Sequence, residues 1–272
     1  MEAFLPTAEQ ESAIFDLMRR AGDIMTSALD AEEQVDLKPG THNYVTAYDV
    51  KVQRFLIDGL GAIAPEAGFL GEEEDRHVLP EDRPCFVIDP IDGTLNFIHD
   101  WHTSVISVGI VSGGEAMWGA IWNPYTWDLF FARKGGGAYR NGSPIHVSSH
   151  PLSEALVSIG TSPYIRLQNH RETFALAEDL FLRCDDLRRS GAAAWDFCLI
   201  ACGRLEVMYE LSLGPWDYCA GSVILSEAGG LLTSMDGTPV RFDRNCSVLA
   251  ANALCHAPVL ERIRALGVAP RI

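Results

Sequence analysis

Asp89 and Asp92 follow the apolar run Cys85–Ile88 and bracket Pro90-Ile91, with Gly93 and Thr94 directly behind them. The run reads as a strand that stops on an acid and then turns into a short helix. Two carboxylates at the end of a buried strand repel each other, and a fold tolerates them when a cation sits between. The Gly-Thr pair can present backbone N–H groups at a helix start, where an anion binds well. A cation site beside an anion site points to metal-assisted chemistry on a phosphate.

Further acids stand at the ends of elements. Glu72-Glu73-Glu74-Asp75 leaves the short strand Gly68–Gly71. Such a run is usually a solvated loop, but strand ends of α/β folds are also where sites gather. Asp49 is the third residue of a helix capped by Thr46, so a capping role and a catalytic role fit it equally. Asp217 opens a helix after Pro215-Trp216, a place the helix dipole alone favours for an acid, and Glu210 ends the strand before it.

Other chemistries fail on residues. No Gly-x-Ser-x-Gly elbow is present, and His99-x-x-His102 has no third ligand nearby to complete a zinc set. The Asp stretch lacks the alternating acids of a calcium loop. Haloacid-dehalogenase-type phosphatases use Asp-x-Asp, with the first Asp as nucleophile. Here the acids are three apart, which on extended backbone point oppositely. The spacing predicts metal ligands at a turn, with water as the attacking group.

These residues need elements to hold them. At 272 residues the chain can form one large domain or two smaller ones. A net charge of −16 with no Lys/Arg cluster excludes a nucleic-acid face, and no apolar run is long enough to span a membrane. An acidic chain handling phosphate draws its positive charge most simply from divalent metal. The scattered, odd-numbered cysteines read as reduced thiols, and the N-terminus lacks a basic signal start, so the expected location is the cytoplasm. One helix starts at Thr7 with Gln10 completing a capping box, and a turn falls at Lys38-Pro39-Gly40. Strands are expected at 104–111, 116–122 and 129–132, hairpin turns at 135–137 and Asn141-Gly142, and a domain boundary within 148–153. Beyond it, strands at 155–159, 205–211 and 248–251 alternate with helices at 169–182, 191–203, 216–228 and 258–266. That alternation argues for an α/β layer.

The motifs together resemble a known family. Asp89-Pro90-Ile91-Asp92-Gly93-Thr94-Leu95-Asn96-Phe97 is similar to the first signature of the inositol monophosphatases, and Trp216-Asp217-Tyr218-Cys219-Ala220-Gly221 to the second. Gly71-Glu72-Glu73 and Val45-Thr46-x-x-Asp49 match two more of its motifs, in the same order. The resemblance implies an α/β (α+β) fold, a layered α/β/α/β/α sandwich of the sugar-phosphatase type. It implies an N-terminal domain, 1–148, carrying the metal-binding acids, and a C-terminal domain, 149–272, supplying Asp217 and the substrate-facing residues. It also implies two or three Mg²⁺ per site, lithium inhibition and a homodimer. Carried over, the metal ligands are Glu72, Asp89, the carbonyl of Ile91, Asp92 and Asp217. Glu72 and Thr94 orient the attacking water, with Asp49 bonded to Thr94. Asp92 and the amides of Gly93 and Thr94 meet the phosphate, while Gly191, Ala193 and Glu210 face the alcohol.

Two departures stand out. Gly191-Ala192-Ala193-Ala194 lacks the Thr or Ser that the family places after the glycine, and Asn43 replaces a common Asp in the loop around Lys38. The expected reaction is hydrolysis of a small phosphorylated polyol or sugar, inositol monophosphate first. Fructose bisphosphate and other sugar or nucleotide phosphates are the alternatives within the family. From another class, a phosphatase-like scaffold regulating a protein partner would be expected to lose a metal ligand, and none is lost.

Overall fold

The first helix, α1 (Ala8–Thr26), starts as its sequence predicts. Thr7 Oγ1 accepts from the Gln10 amide at 3.2 Å, and Gln10 Oε1 accepts from the Thr7 amide at 3.0 Å. In this computed structural model residues 4–28, 31–38, 43–74, 77–80 and 82–268 are described. Pro39 and Gly40 of the expected turn, and Asp75 of the acidic run, lie outside them. The remaining helices are α2 (Ala47–Ile63), α3 (Thr94–Ile98), α4 (Arg166–Phe181), α5 (Ala193–Ala201), α6 (Pro215–Glu227) and α7 (His256–Leu266).

The strands in chain order are β1 (Val35–Leu37), β2 (Tyr44–Thr46), β3 (Gly68–Gly71), β4 (Cys85–Asp92), β5 (Val105–Ser112), β6 (Glu115–Asn123), β7 (Asp128–Arg133), β8 (Ala138–Arg140) and β9 (Ser143–Pro144). β10 (Leu156–Ile159), β11 (Asp186–Arg188), β12 (Val207–Leu213), β13 (Leu231–Thr233) and β14 (Cys246–Ala251) complete them. β3 to β9 form one sheet in sequence order, antiparallel except for the β3–β4 pair. A second sheet has the order β11-β10-β12-β14-β13.

The apolar faces stack these parts in five layers. Ile14, Met18, Val52 and Leu56 of α1 and α2 bury against Phe86, Ile88 and Val108 of the first sheet. The other face of that sheet meets α5 and α6 through Val105, Ile121, Phe130, Ala194 and Val223. Those two helices also bury Phe197 and Tyr218 against Met208 and Val248 of the second sheet. α4 and α7 close the far side with Leu176, Val259 and Ile263. The order is α/β/α/β/α, as the resemblance implies.

Two glycines set how closely the middle layer approaches. A Cβ on Gly119 would lie 2.5 Å from the Ala220 carbonyl oxygen, and one on Gly109 would lie 2.5 Å from Cys219 Sγ. Their missing side chains let the backbone of α6 rest directly on β5 and β6, which brings the first turn of α6 beside the end of β4.

Some boundaries differ from the sequence reading. β4 does not stop at Ile88 but continues, fully buried, through Asp92. β12 runs past Glu210 to Leu213, so that acid lies within the strand and not at its end. α5 begins at Ala193, because Gly191 takes a left-handed φ of +79° that a helix cannot include. β1, β2, β11 and β13 are three-residue strands, too short to show a period of two. All seven cysteines are free, and no helix among the described residues is long and apolar enough to cross a membrane.

Candidate metal centre

A β-bulge makes the site. Asp89 is paired with Ser107 and Asp92 with Val105, so three steps along β4 oppose two along β5. The extra residue cancels the alternation that would otherwise send acids three apart to opposite faces. The expected turn is therefore a bulge inside a continuous strand. One oxygen each of Asp89, Asp92 and Asp217 comes within 4.8 Å of the others.

Each carboxylate is pinned by backbone amides. Asp92 accepts from Ala193 N at 3.1 Å and Ala194 N at 2.7 Å, the first amides of α5. Asp217 Oδ2 accepts from Gly214 N at 2.7 Å and so anchors the start of α6. Ser107 Oγ, opposite Asp89, donates to the Trp216 carbonyl at 3.2 Å and ties that turn to the sheet. Asp89 Oδ1 accepts from Ile91 N at 3.0 Å, which holds the bulge. Glu72 leaves β3 with its amide on the Ile88 carbonyl at 3.1 Å, beside the bulge. Its carboxylate is not in the tight trio. It accepts from Lys38 Nζ at 2.9 Å, and the same ammonium reaches Glu73 at 2.6 Å.

The electrostatics ask for a cation. Burial, then the charges of Glu72, Asp92 and Asp217, holds the Asp89 carboxyl well above the usual carboxylate range. Burial likewise raises Asp217, and it pushes Asp92 to about 8 against the opposing pull of the Ala194 and Ala193 amides. Buried carboxylates that resist ionisation side by side are stabilised as anions by a hard divalent ion, which prefers oxygen donors. Among the described residues no other set of three acidic, His or Cys side chains converges so closely. The donor set fits Mg²⁺.

Beside the trio, Thr94 Oγ1 lies 3.2 Å from both Asp49 Oδ1 and the Ile91 carbonyl, and its single proton serves one of them at a time. Asp49 caps α2 and also reaches Thr94. Its Oδ2 accepts from Thr46 N at 2.7 Å and Thr46 Oγ1 at 2.6 Å as the cap of α2, while Oδ1 faces Thr94. Burial raises Asp49 to about 6. Gly93 turns the chain from β4 into α3 with φ +87°. A Cβ there would stand 3.1 Å from the Ala192 methyl, so a methyl borders this turn where the family has a hydroxyl.

The same cleft contains Gly191, Ala193 and Glu210. Glu210 Oε1 accepts from Ser162 N at 2.7 Å and Ser162 Oγ at 3.1 Å, and burial raises its carboxyl to about 7. Of the residues carried over from the family's motifs, Glu72, Asp92, Gly93, Thr94, Gly191, Ala193, Glu210 and Asp217 line one cleft, and Asp49, Asp89 and Ile91 stand beside it. Sequence reasoning missed Tyr164, Arg166, Arg189 and Asp196, which also line it, and Ser162, which bonds Glu210 from behind it. Asp196 accepts from Ser158 Oγ at 2.6 Å and is raised by burial to about 6. The one available signal was an acid in the otherwise apolar helix Ala193–Ala201. Ser162 and Tyr164 sit in a loop with no periodicity to flag them.

The sequence model described as the inositol monophosphatase family matches residues 8–266. An inositol-1-monophosphatase of Bacillus subtilis is 32% identical over 90% of this chain and 92% of its own length. A Vibrio cholerae protein called Nus factor SuhB is 27% identical over 92% of this chain and 93% of its own. The solved structure of the extragenic suppressor protein suhB from Bartonella henselae superposes with a TM-score of 0.87 at 28% identity, covering 94% of this chain and 99% of that one. With the family's signatures on β4 and at the head of α6, and its sequence model matched from the first helix to the last, this chain belongs to the inositol monophosphatase family.

Proposed function

We propose that this chain hydrolyses small phosphomonoesters, inositol monophosphate first among them, with Mg²⁺ held by Asp89, Asp92, Asp217, Glu72 and the Ile91 carbonyl. The convergence of Asp89, Asp92 and Asp217 within 4.8 Å carries this reading. Bound divalent ions supply a Lewis acid to the phosphoryl oxygens and make a coordinated water acidic. The protein's own part is positioning. Thr94 Oγ1, oriented by Asp49, accepts a hydrogen bond from the attacking water on the trio's side of the cleft. Asp49, raised to about 6, is suited to hold a proton passed through Thr94. The amides of Gly93 and Thr94 receive the phosphate oxygens as charge moves during transfer. Gly191, Ala193 and Glu210 line the side where the alcohol leaves.

The reading includes division into residues 1–148 and 149–272, a cytoplasmic location and a homodimer. Trp101 and Trp127, exposed at 62% and 67%, support the dimer as apolar surface to be covered. The test is phosphate release from inositol 1-phosphate, fructose 1,6-bisphosphate, a 3′-phosphorylated nucleotide and histidinol phosphate. Each is run with Mg²⁺, with EDTA, and with lithium added. A Mg²⁺-dependent, lithium-blocked preference for inositol 1-phosphate is expected. Preference for another ester keeps the chemistry and changes the substrate. The name of the Vibrio cholerae relative favours one second reading, a scaffold for a protein partner. Silence on every ester, with a stable complex in a pull-down, would support it.

A further inference from the structure

The cleft is lined by several acids, yet it also carries two arginines. Arg189 and Arg166 both line it. Arg189 directs Nε and Nη2 to one acceptor, Thr161 Oγ1, at 3.2 and 3.0 Å. Its Nη1 lies against Gly191, where a Cβ would be only 2.9 Å away. Arg166 spends Nε on the Pro163 carbonyl at 3.0 Å. Their neighbour Arg188 is ion-paired with Asp186, but among the described residues neither Arg189 nor Arg166 is ion-paired. A guanidinium has five donors in a planar fork suited to carboxylate or phosphate. Among the described residues most of them meet no protein acceptor, and Arg189 places Nη1 at the glycine beside the alcohol's path.

The wall also lacks the hydroxyl that the family's motif would place after Gly191. Ala192 puts a methyl next to the Gly93 turn, and Glu210 is engaged by Ser162. One hydroxyl is absent while two guanidinium groups are present. Arg189 does face negative charge, since it opposes the burial-driven rise of Glu210 and Asp196. That duty alone would be met by contact with either acid, and its fork is turned to Thr161 instead.

We propose that Arg189 and Arg166 form a second anion subsite, so that a carboxylate or a second phosphate on the alcohol part speeds turnover over that of the same ester without it. This rests on the phosphatase reading above, and its test separates the two.

The test uses matched pairs. 2-Phosphoglycerate differs from glycerol 2-phosphate by a carboxylate, and fructose 1,6-bisphosphate differs from fructose 1-phosphate by a phosphate. Wild-type kcat/KM with Mg²⁺ is expected to favour the charged member of one pair at least tenfold. Which pair responds tells carboxylate from phosphate. Arg189→Gln should cut that ratio about tenfold, close to 1.4 kcal/mol, Arg166→Gln should cut it less, and Arg189→Lys should restore part of it. A general structural effect lowers both members alike and cancels in the ratio. Turnover of the esters without the added anion, with a ratio near one, overturns the subsite and leaves the phosphatase reading standing. If nothing is turned over, calorimetric binding of the same pairs with Ca²⁺ decides. A charged-member preference lost in Arg189→Gln upholds the subsite, and equal binding overturns it.

Discussion

Asp92 shows what one residue does here. It completes the trio and receives two amides of α5. Asp92→Asn keeps the shape and removes the charge. Turnover should fall at least a thousandfold while the circular dichroism spectrum stays unchanged, and retained phosphate release would sink the metal assignment. Glu210 gives a pH prediction. Its folded value is raised from 4.5 to about 7 by burial. Its stabilising share is therefore complete below the unfolded value and is lost as pH rises through about 7, by up to ~3 kcal/mol. Glu210→Gln cannot ionise. Its melting temperature, measured in EDTA and compared with wild type, should gain progressively between pH 5 and pH 8.5. A difference independent of pH would count against the buried charge.

At the scale of elements, the site depends on how α6 is seated. Gly119→Ala would drive a methyl into the Ala220 carbonyl, an overpacking worth ~1–3 kcal/mol. Because Asp217 rides on the first turn of α6, the Mg²⁺ concentration for half-maximal activity should rise along with the loss of stability. A variant with lower melting temperature and unchanged Mg²⁺ dependence would show that the seat and the site are independent. The long elements were legible in the sequence. α1 announced itself by its capping box, α6 by Pro215 and Asp217, and the central strands by their apolar runs. The bulge was not legible. Acids three apart point oppositely on regular extended backbone, so the spacing predicted a turn, and only pairing with β5 reveals the extra residue that aligns them within the strand. Nor was the arginine wall, since Arg189 and Arg166 belong to separate segments that the fold joins through Thr161.

The whole molecule carries a net charge of −16, and several of its acids are buried in one cleft. Without a counter-ion that cleft opposes folding, so divalent metal should act as a stabilising ligand. At a hundred times its dissociation constant, Mg²⁺ should add ~2.7 kcal/mol. This should appear as a rise in melting temperature that EDTA reverses and Asp92→Asn largely lacks. No rise in wild type would contradict a preformed site. The way the acids are anchored has a further consequence. Asp49 holds the start of α2, Asp92 that of α5 and Asp217 that of α6. Each would serve two ends, the proposed chemistry and the helix it anchors. Loss of catalysis would leave the second role in place, so the retained acids Asp92 and Asp217 weigh less against a scaffold than their sequence motifs suggest. Retention of these three acids is a record of architecture as much as of turnover.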